Sequence, residues 1–138
     1  MREAMKLAGV ELFADRHLYE LSGGEMQRVM LARVLAQKPK VILLDEPLNN
    51  LDPKYQLWMI KLIKELTTKE DLTTVVVFHD LNIALRFADR IVLMKDGRIY
   101  GVGSPQEVIT PGNIEAVFVL KANVVKNPVP YVVLEEAL

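Results

Sequence analysis

Apolar positions along the chain change their period several times, and each change marks an element. Residues 2–8 read as a short helix stopped by Gly9. Ser22-Gly23-Gly24-Glu25 has capping-box spacing, in which serine and glutamate side chains satisfy each other's backbone N–H groups at a helix start. The helix it opens carries Met26, Val29, Met30, Ala32 and Leu35 at helical intervals and ends before Pro39. Residues 41–44 are a continuous apolar run, the sign of a strand buried on both faces. Asp52-Pro53 starts another helix, since proline at the first helical position gives up an N–H that has no partner there anyway. Leu57, Ile60, Ile63 and Leu66 supply its apolar face.

Residues 74–78 read as a second buried strand, and Asp80 starts a helix with Leu81, Ala84, Leu85 and Ala88 turned inward. Residues 91–94 and 98–102 flank Asp96-Gly97, a hairpin signal because this pair tolerates positive φ in a tight turn. Ser104-Pro105-Gln106-Glu107 is a second capping box, with proline inside it. Residues 113–138 are expected to hold a helix and a small hairpin across Asn127-Pro128. Strand–helix–strand alternation predicts an α/β fold with a largely parallel sheet flanked by helices.

Composition narrows the class. A chain of 138 residues, 51% hydrophobic and 25% charged, suits one globular domain and not a disordered segment. A formal net charge of -1 disfavours a nucleic-acid module, which carries a basic surplus or stripe. The absence of cysteine removes disulfide frameworks and thiolate metal sites. Apolar runs fall far short of the ~20 residues that cross a bilayer, and the charged N-terminus shows no secretory h-region. A soluble cytoplasmic domain is the expectation.

The most specific string is Leu21-Ser22-Gly23-Gly24-Glu25-Met26-Gln27-Arg28. Two glycines just inside a helix start let backbone N–H groups approach an anion closely, where the helix dipole and a serine hydroxyl add to the attraction. An ordinary capped helix accounts for Ser22 and Glu25 but not for the glycine pair, since glycine in a helix costs ~1 kcal/mol relative to alanine. In residues 41–47, VILLDEP, a strand ends in two adjacent carboxylates at the sheet edge where α/β folds bind ligands. Asp45 is placed to hold Mg²⁺ there, and Glu46 to orient and polarise an attacking water. Taken alone, Asp-Glu-Pro after a strand reads as a solvated turn, and His79 after the second strand as a satisfied core histidine. His17 lacks such context and reads as a surface residue, and Arg28 as a support for its helix.

Together, LSGGEMQR, VILLDEP, LNNLD and VVVFHDLN resemble, in order and approximate spacing, the nucleotide-binding subunits of ABC transporters. The similarity runs over essentially the whole chain and looks most like importers of iron–siderophore, haem and cobalamin complexes. It implies the C-terminal portion of a P-loop-type ABC ATPase domain, with residues 1–38 in the helical signature subdomain, 39–103 in the core and 104–138 in C-terminal helices and a hairpin. It implies ATP and Mg²⁺ as cofactors. Glu46 and His79 become the catalytic residues, the latter as a switch on the γ-phosphate, and Asp45 the Walker B metal ligand. Ser22, Gly23, Gly24, Glu25, Gln27 and Asp52 become nucleotide-binding, with Asp52 in the D-loop. Residues 48–50, LNN, depart from the Thr-Ser or Thr-Asn common at this place in the family.

The sequence contains no G-x-x-x-x-G-K-[ST], the loop whose amides and lysine cradle phosphates in a complete domain. The expectation is a chain inactive by itself, which self-associates or docks onto an N-terminal half bearing that loop. A second ABC domain and transmembrane permease subunits complete the expected partners, with no nucleic acid, and the location is the cytoplasmic face of the cell membrane. Two other readings compete: a non-catalytic interaction module that lost its P-loop, and a non-transport ABC ATPase of repair or translation type. The retained Glu46 and His79 count against the first, and the lack of coiled-coil heptads against the repair type.

Overall fold

The structure, a computed structural model, describes residues 2–126 and 128–137. They divide into two compact units, residues 1–77 and 78–138. The first unit begins with α1 (Arg2–Leu7). Gly9, at φ 62°, takes the left-handed conformation that stops it. Two short 3₁₀ turns, Glu11–Phe13 and Leu18–Glu20, lead to α2 (Gly23–Leu35). Then come β1 (Val41–Asp45), α3 (Pro53–Lys69) and β2 (Thr73–Val77). Each helix starts where its cap was expected: Ser22 caps α2, and Asp52 caps α3 with Pro53 in its first turn.

β1 and β2 pair in parallel with their ends flush, Val41 opposite Thr73 and Asp45 opposite Val77. Ile42 is buried on the face that meets the helices, with Leu31 and Leu35 of α2 and Ile63 and Leu66 of α3. The opposite face is open: Leu43 is 75% exposed, and Val41, Val75 and Val77 are each about half exposed. The expectation of strands buried on both faces is thus corrected. An apolar run reports that both faces are suited to burial, but the helices of this unit cover only one. On α3 the buried stripe is Met59, Ile60, Ile63 and Leu66, while Leu57 is exposed, so Met59 takes the buried position expected of Leu57.

The second unit holds α4 (Leu81–Phe87), β3 (Ile91–Lys95), β4 (Arg98–Gly103), α5 (Pro105–Val108), α6 (Pro111–Phe118), β5 (Leu120–Val125) and β6 (Tyr131–Ala137). β3 and β4 form the antiparallel hairpin expected at Asp96-Gly97, whose φ values of 49° and 72° suit a primed turn. β5 and β6 form a second antiparallel pair, so a hairpin does close the chain; Asn127, in its connection, lies outside the described residues. Leu85, Ile109, Ile114, Ala122 and Val132 make the core. Among the described residues the parallel component is the β1–β2 pair, and the other two sheets are antiparallel hairpins, because their short connections leave no room for the crossover that parallel pairing needs.

Asn82 ties α4 to the closing hairpin. Its side-chain oxygen accepts from Val132 N–H at 2.6 Å and its amide donates to Val132 O at 3.3 Å, standing in for a strand partner. At Gly103 a Cβ would meet Glu107 Oε2 at 2.9 Å, so a larger residue there would push aside the carboxylate of the α5 capping box.

Candidate functional site

The site grows from the start of α2. Ser22 N–H donates to Glu25 Oε2 at 2.8 Å, and Glu25 N–H donates to Ser22 Oγ at 3.4 Å. Glu25 is held below the ordinary carboxylate value by the Ser22 N–H first, then the Ser22 side chain, with Arg16 and Arg28 adding positive potential. The box occupies the Ser22 oxygen as an acceptor, while its hydroxyl hydrogen can turn toward Glu25 or outward. Gly23 and Gly24 are the first two helical residues, so their N–H groups have no acceptor within the helix.

Nothing lies within 4 Å of where a Gly23 Cβ would stand, and at Gly24 the nearest atom is Leu51 Cδ2 at 3.5 Å, an ordinary contact. Neither glycine is demanded by the packing of this chain. Both border a pocket of about 280 Å³ whose one wall is Ser22–Glu25 and Arg28, and whose other is Asn50, Leu51, Asp52 and Tyr55. The structure therefore brings together the glycine-rich helix start and the LNNLD segment, which are distant in sequence. Gln27, one turn further along α2, is not among the lining residues.

Asp52 serves the fold as well as the pocket: its Oδ1 accepts from Lys54 N–H at 3.0 Å and Tyr55 N–H at 3.2 Å. Arg28 and Tyr55 were not foreseen as pocket residues. Arg28 stands 5.3 Å from the Phe13 ring centroid and 5.1 Å from that of Trp58, a cation held between two aromatic faces. An arginine one turn past the glycines and an aromatic in the first turn of the next helix were the available signals.

Asp45 ends β1 with an exposed side chain, and Glu46 comes next at φ 47°, half-buried, in the left-handed region. Residues 46–51 form a closed turn. Asn49 N–H donates to Glu46 O at 3.1 Å, Leu51 N–H donates to Leu48 O at 3.3 Å, and the Asn49 side-chain amide donates to Glu46 Oε2. Leu48 is buried, and its carbonyl also accepts from Gln56 Nε2 of α3 at 3.3 Å. Asp45 and Glu46 do not line the 280 Å³ pocket; they stand at the sheet edge, at the other end of the loop that lines it.

His79 belongs to the second unit and is exposed, two residues beyond β2. Asp80 anchors the start of α4, its Oδ1 accepting from Asn82 N–H at 2.7 Å and Ile83 N–H at 3.1 Å. His17 is exposed as expected and stacks on Tyr19 with ring centroids 5.2 Å apart. No group of three or more acidic or imidazole side chains able to hold a metal occurs among the described residues.

A family model for ABC transporters matches residues 1–49. An ABC transporter ATP-binding protein of Methanocaldococcus jannaschii is 48% identical over 116 residues, covering 84% of this chain and 45% of the relative. A cobalamin import ATP-binding protein of Halobacterium salinarum is 43% identical over 125 residues, covering 91% of this chain and 31% of the relative. Among solved structures, an inward-facing transporter described as of the metal-chelate type superposes with a TM-score of 0.87 at 26% identity, over 97% of this chain and 55% of that one. The chain spans less than half the length of these two curated relatives. No helix among the described residues is long and apolar enough to cross a membrane. On its ordered motifs, its α/β fold and these likenesses, the chain belongs to the ABC-transporter ATP-binding family.

Proposed function

We propose that this chain is the signature and Walker B portion of an ATPase that drives import of a metal chelate, with ATP hydrolysis completed by a phosphate-binding loop outside these residues. The observation that carries it is Gly23: a bare helix start facing open space, in a fold that does not itself need glycine there. An anion pressed against the first-turn amides supplies the reason.

On this reading Ser22, Gly23 and Gly24 meet the γ-phosphate of a nucleotide held by a second ATP-binding domain. Glu25 keeps their helix start in place through the capping box, and Asp52 holds the facing loop. Gln27, one turn along the same helix and outside the pocket lining, completes the proposed set on the nucleotide side. Asp45 would hold Mg²⁺, which would supply positive charge against the phosphates. Glu46 orients the water for in-line attack and takes up its proton, and His79 donates a hydrogen bond to the γ-phosphate. Most of the rate then comes from positioning and charge stabilisation, with little covalent chemistry for the protein to do. Permease subunits in the membrane receive the closing and opening strokes, which places the chain at the cytoplasmic face. The kinship with a cobalamin import protein and a metal-chelate type transporter supports that class of cargo.

The test is a titration of the purified chain with an ATP analogue and Mg²⁺, followed by phosphate release. The expected outcome is no binding up to millimolar nucleotide and no turnover. Saturable binding with phosphate release lost in Glu46→Gln would mean that the chain builds its own phosphate cradle, and the split reading fails.

A further inference from the structure

The loop that follows Glu46 places a side-chain amide against its carboxylate, and we propose that Asn49 is a positioning residue for that general base. The inference rests on the proposed role of Glu46. A carboxylate that steers a water must hold one orientation, because its basic lone pairs lie in the carboxyl plane and a rotated plane aims them elsewhere. Asn49 Nδ2 donates to Glu46 Oε2, and engaging that oxygen sets the carboxyl plane and with it the direction of the other oxygen.

The donor is itself fixed. The Asn49 N–H closes the turn back onto Glu46 O at 3.1 Å, so backbone and side chain of one residue both grip Glu46. Immediately before it, Leu48 is buried and its carbonyl accepts from Gln56 at 3.3 Å and from Leu51 N–H at 3.3 Å. The turn is therefore tied to the first turn of α3, which Asp52 caps. The left-handed backbone at Glu46, φ 47°, is the bend that swings its side chain back to meet Asn49 three residues on. A non-glycine residue adopts that region only where its surroundings hold it, and such residues concentrate where geometry matters to function. The side-chain requirement is a hydrogen-bond donor on this turn. Aspartate has the same shape but no hydrogen to give and carries a like charge.

The experiment is steady-state ATP hydrolysis by the complete ATPase that contains this chain, comparing Asn49→Asp, Asn49→Ala, Asn49→Ser and Glu46→Gln. The expected result is kcat lowered about 10-fold or more in Asn49→Asp and Asn49→Ala, with KM for Mg-ATP within about twofold of the parent. Asn49→Ser, which keeps a donor on the same turn, recovers kcat to within about threefold. If Glu46→Gln abolishes turnover while Asn49→Asp and Asn49→Ala keep kcat, the positioning role is overturned and the role of Glu46 stands. If Glu46→Gln leaves kcat intact, the role of Glu46 falls and takes this one with it. A parallel measurement needs no turnover: in the chain itself, the Asn49 side-chain NH₂ resonances should shift in Glu46→Ala. Unmoved resonances overturn the contact on which the proposal stands.

Discussion

Val119 closes α6 in the left-handed conformation, φ 58° and ψ 44°, with its N–H donating to Glu115 O at 3.0 Å. A β-branched residue pays about 1–2 kcal/mol for that region, which glycine does not. Its side chain is 51% exposed, so little packing is lost on removing it. Val119→Gly is therefore expected to raise stability by about 1 kcal/mol, seen as a higher urea midpoint with an unchanged slope. A lower midpoint would show that the exposed valine contributes packing that outweighs the strain. The same backbone region at Glu46 carries a different meaning, because there the bend delivers a carboxylate to a neighbour. Nothing in the local sequence announces it: Glu46 is followed by Pro47, and proline biases the preceding residue toward extended backbone. That is why the Asn49 contact was not legible and the adjacent acidic pair was.

At the scale of elements, the legible features were those that depend on near neighbours. Ser22, Asp52 and Asp80 start helices where the sequence puts them, because an N-cap needs only a short polar side chain and the amides two or three residues ahead, and Ser104 starts α5 with its N–H and hydroxyl both donating to Glu107 Oε2. The stripe on α3 slipped by part of a turn, since which side of a helix meets a sheet is set by packing. The two capping boxes also carry a pH signature. Glu25 is lowered chiefly by the Ser22 N–H, and Glu107 by the Ser104 N–H, so each box contributes its stabilisation above the ordinary value of 4.5 and loses it as pH falls through the lower folded value. The Ser22 amide proton shift should follow Glu25 with a midpoint below 4.5, and Glu25→Gln should flatten that titration. A midpoint at or above 4.5 would show that the box is open in solution.

For the molecule as a whole, the motifs identified the family, but their presence could not reveal which surfaces this chain covers for itself. Strand burial is a property of the elements that pack on a strand, and the apolar runs are equally consistent with a sheet layered on one side or two. The open face, with Val41, Leu43, Val75 and Val77 on a parallel pair, is a contiguous apolar surface of the kind that soluble monomers seldom leave bare. The purified chain is expected to associate with rising concentration in light scattering, and Leu43→Lys to weaken that association by placing a charge in the middle of the patch. A dilute-stable monomer with fixed near-ultraviolet circular dichroism would contradict this and show that the face is content in water.

The aromatic clamp on Arg28 has a practical corollary. Trp58 is the single tryptophan of the chain, and it contacts the guanidinium that borders the signature pocket. Indole emission responds to the charge beside the ring, so excitation of this chain interrogates one defined place in it. The molecule carries an optical reporter beside the pocket formed by the start of α2 and the LNNLD loop, with no competing chromophore of the same kind and no label to attach.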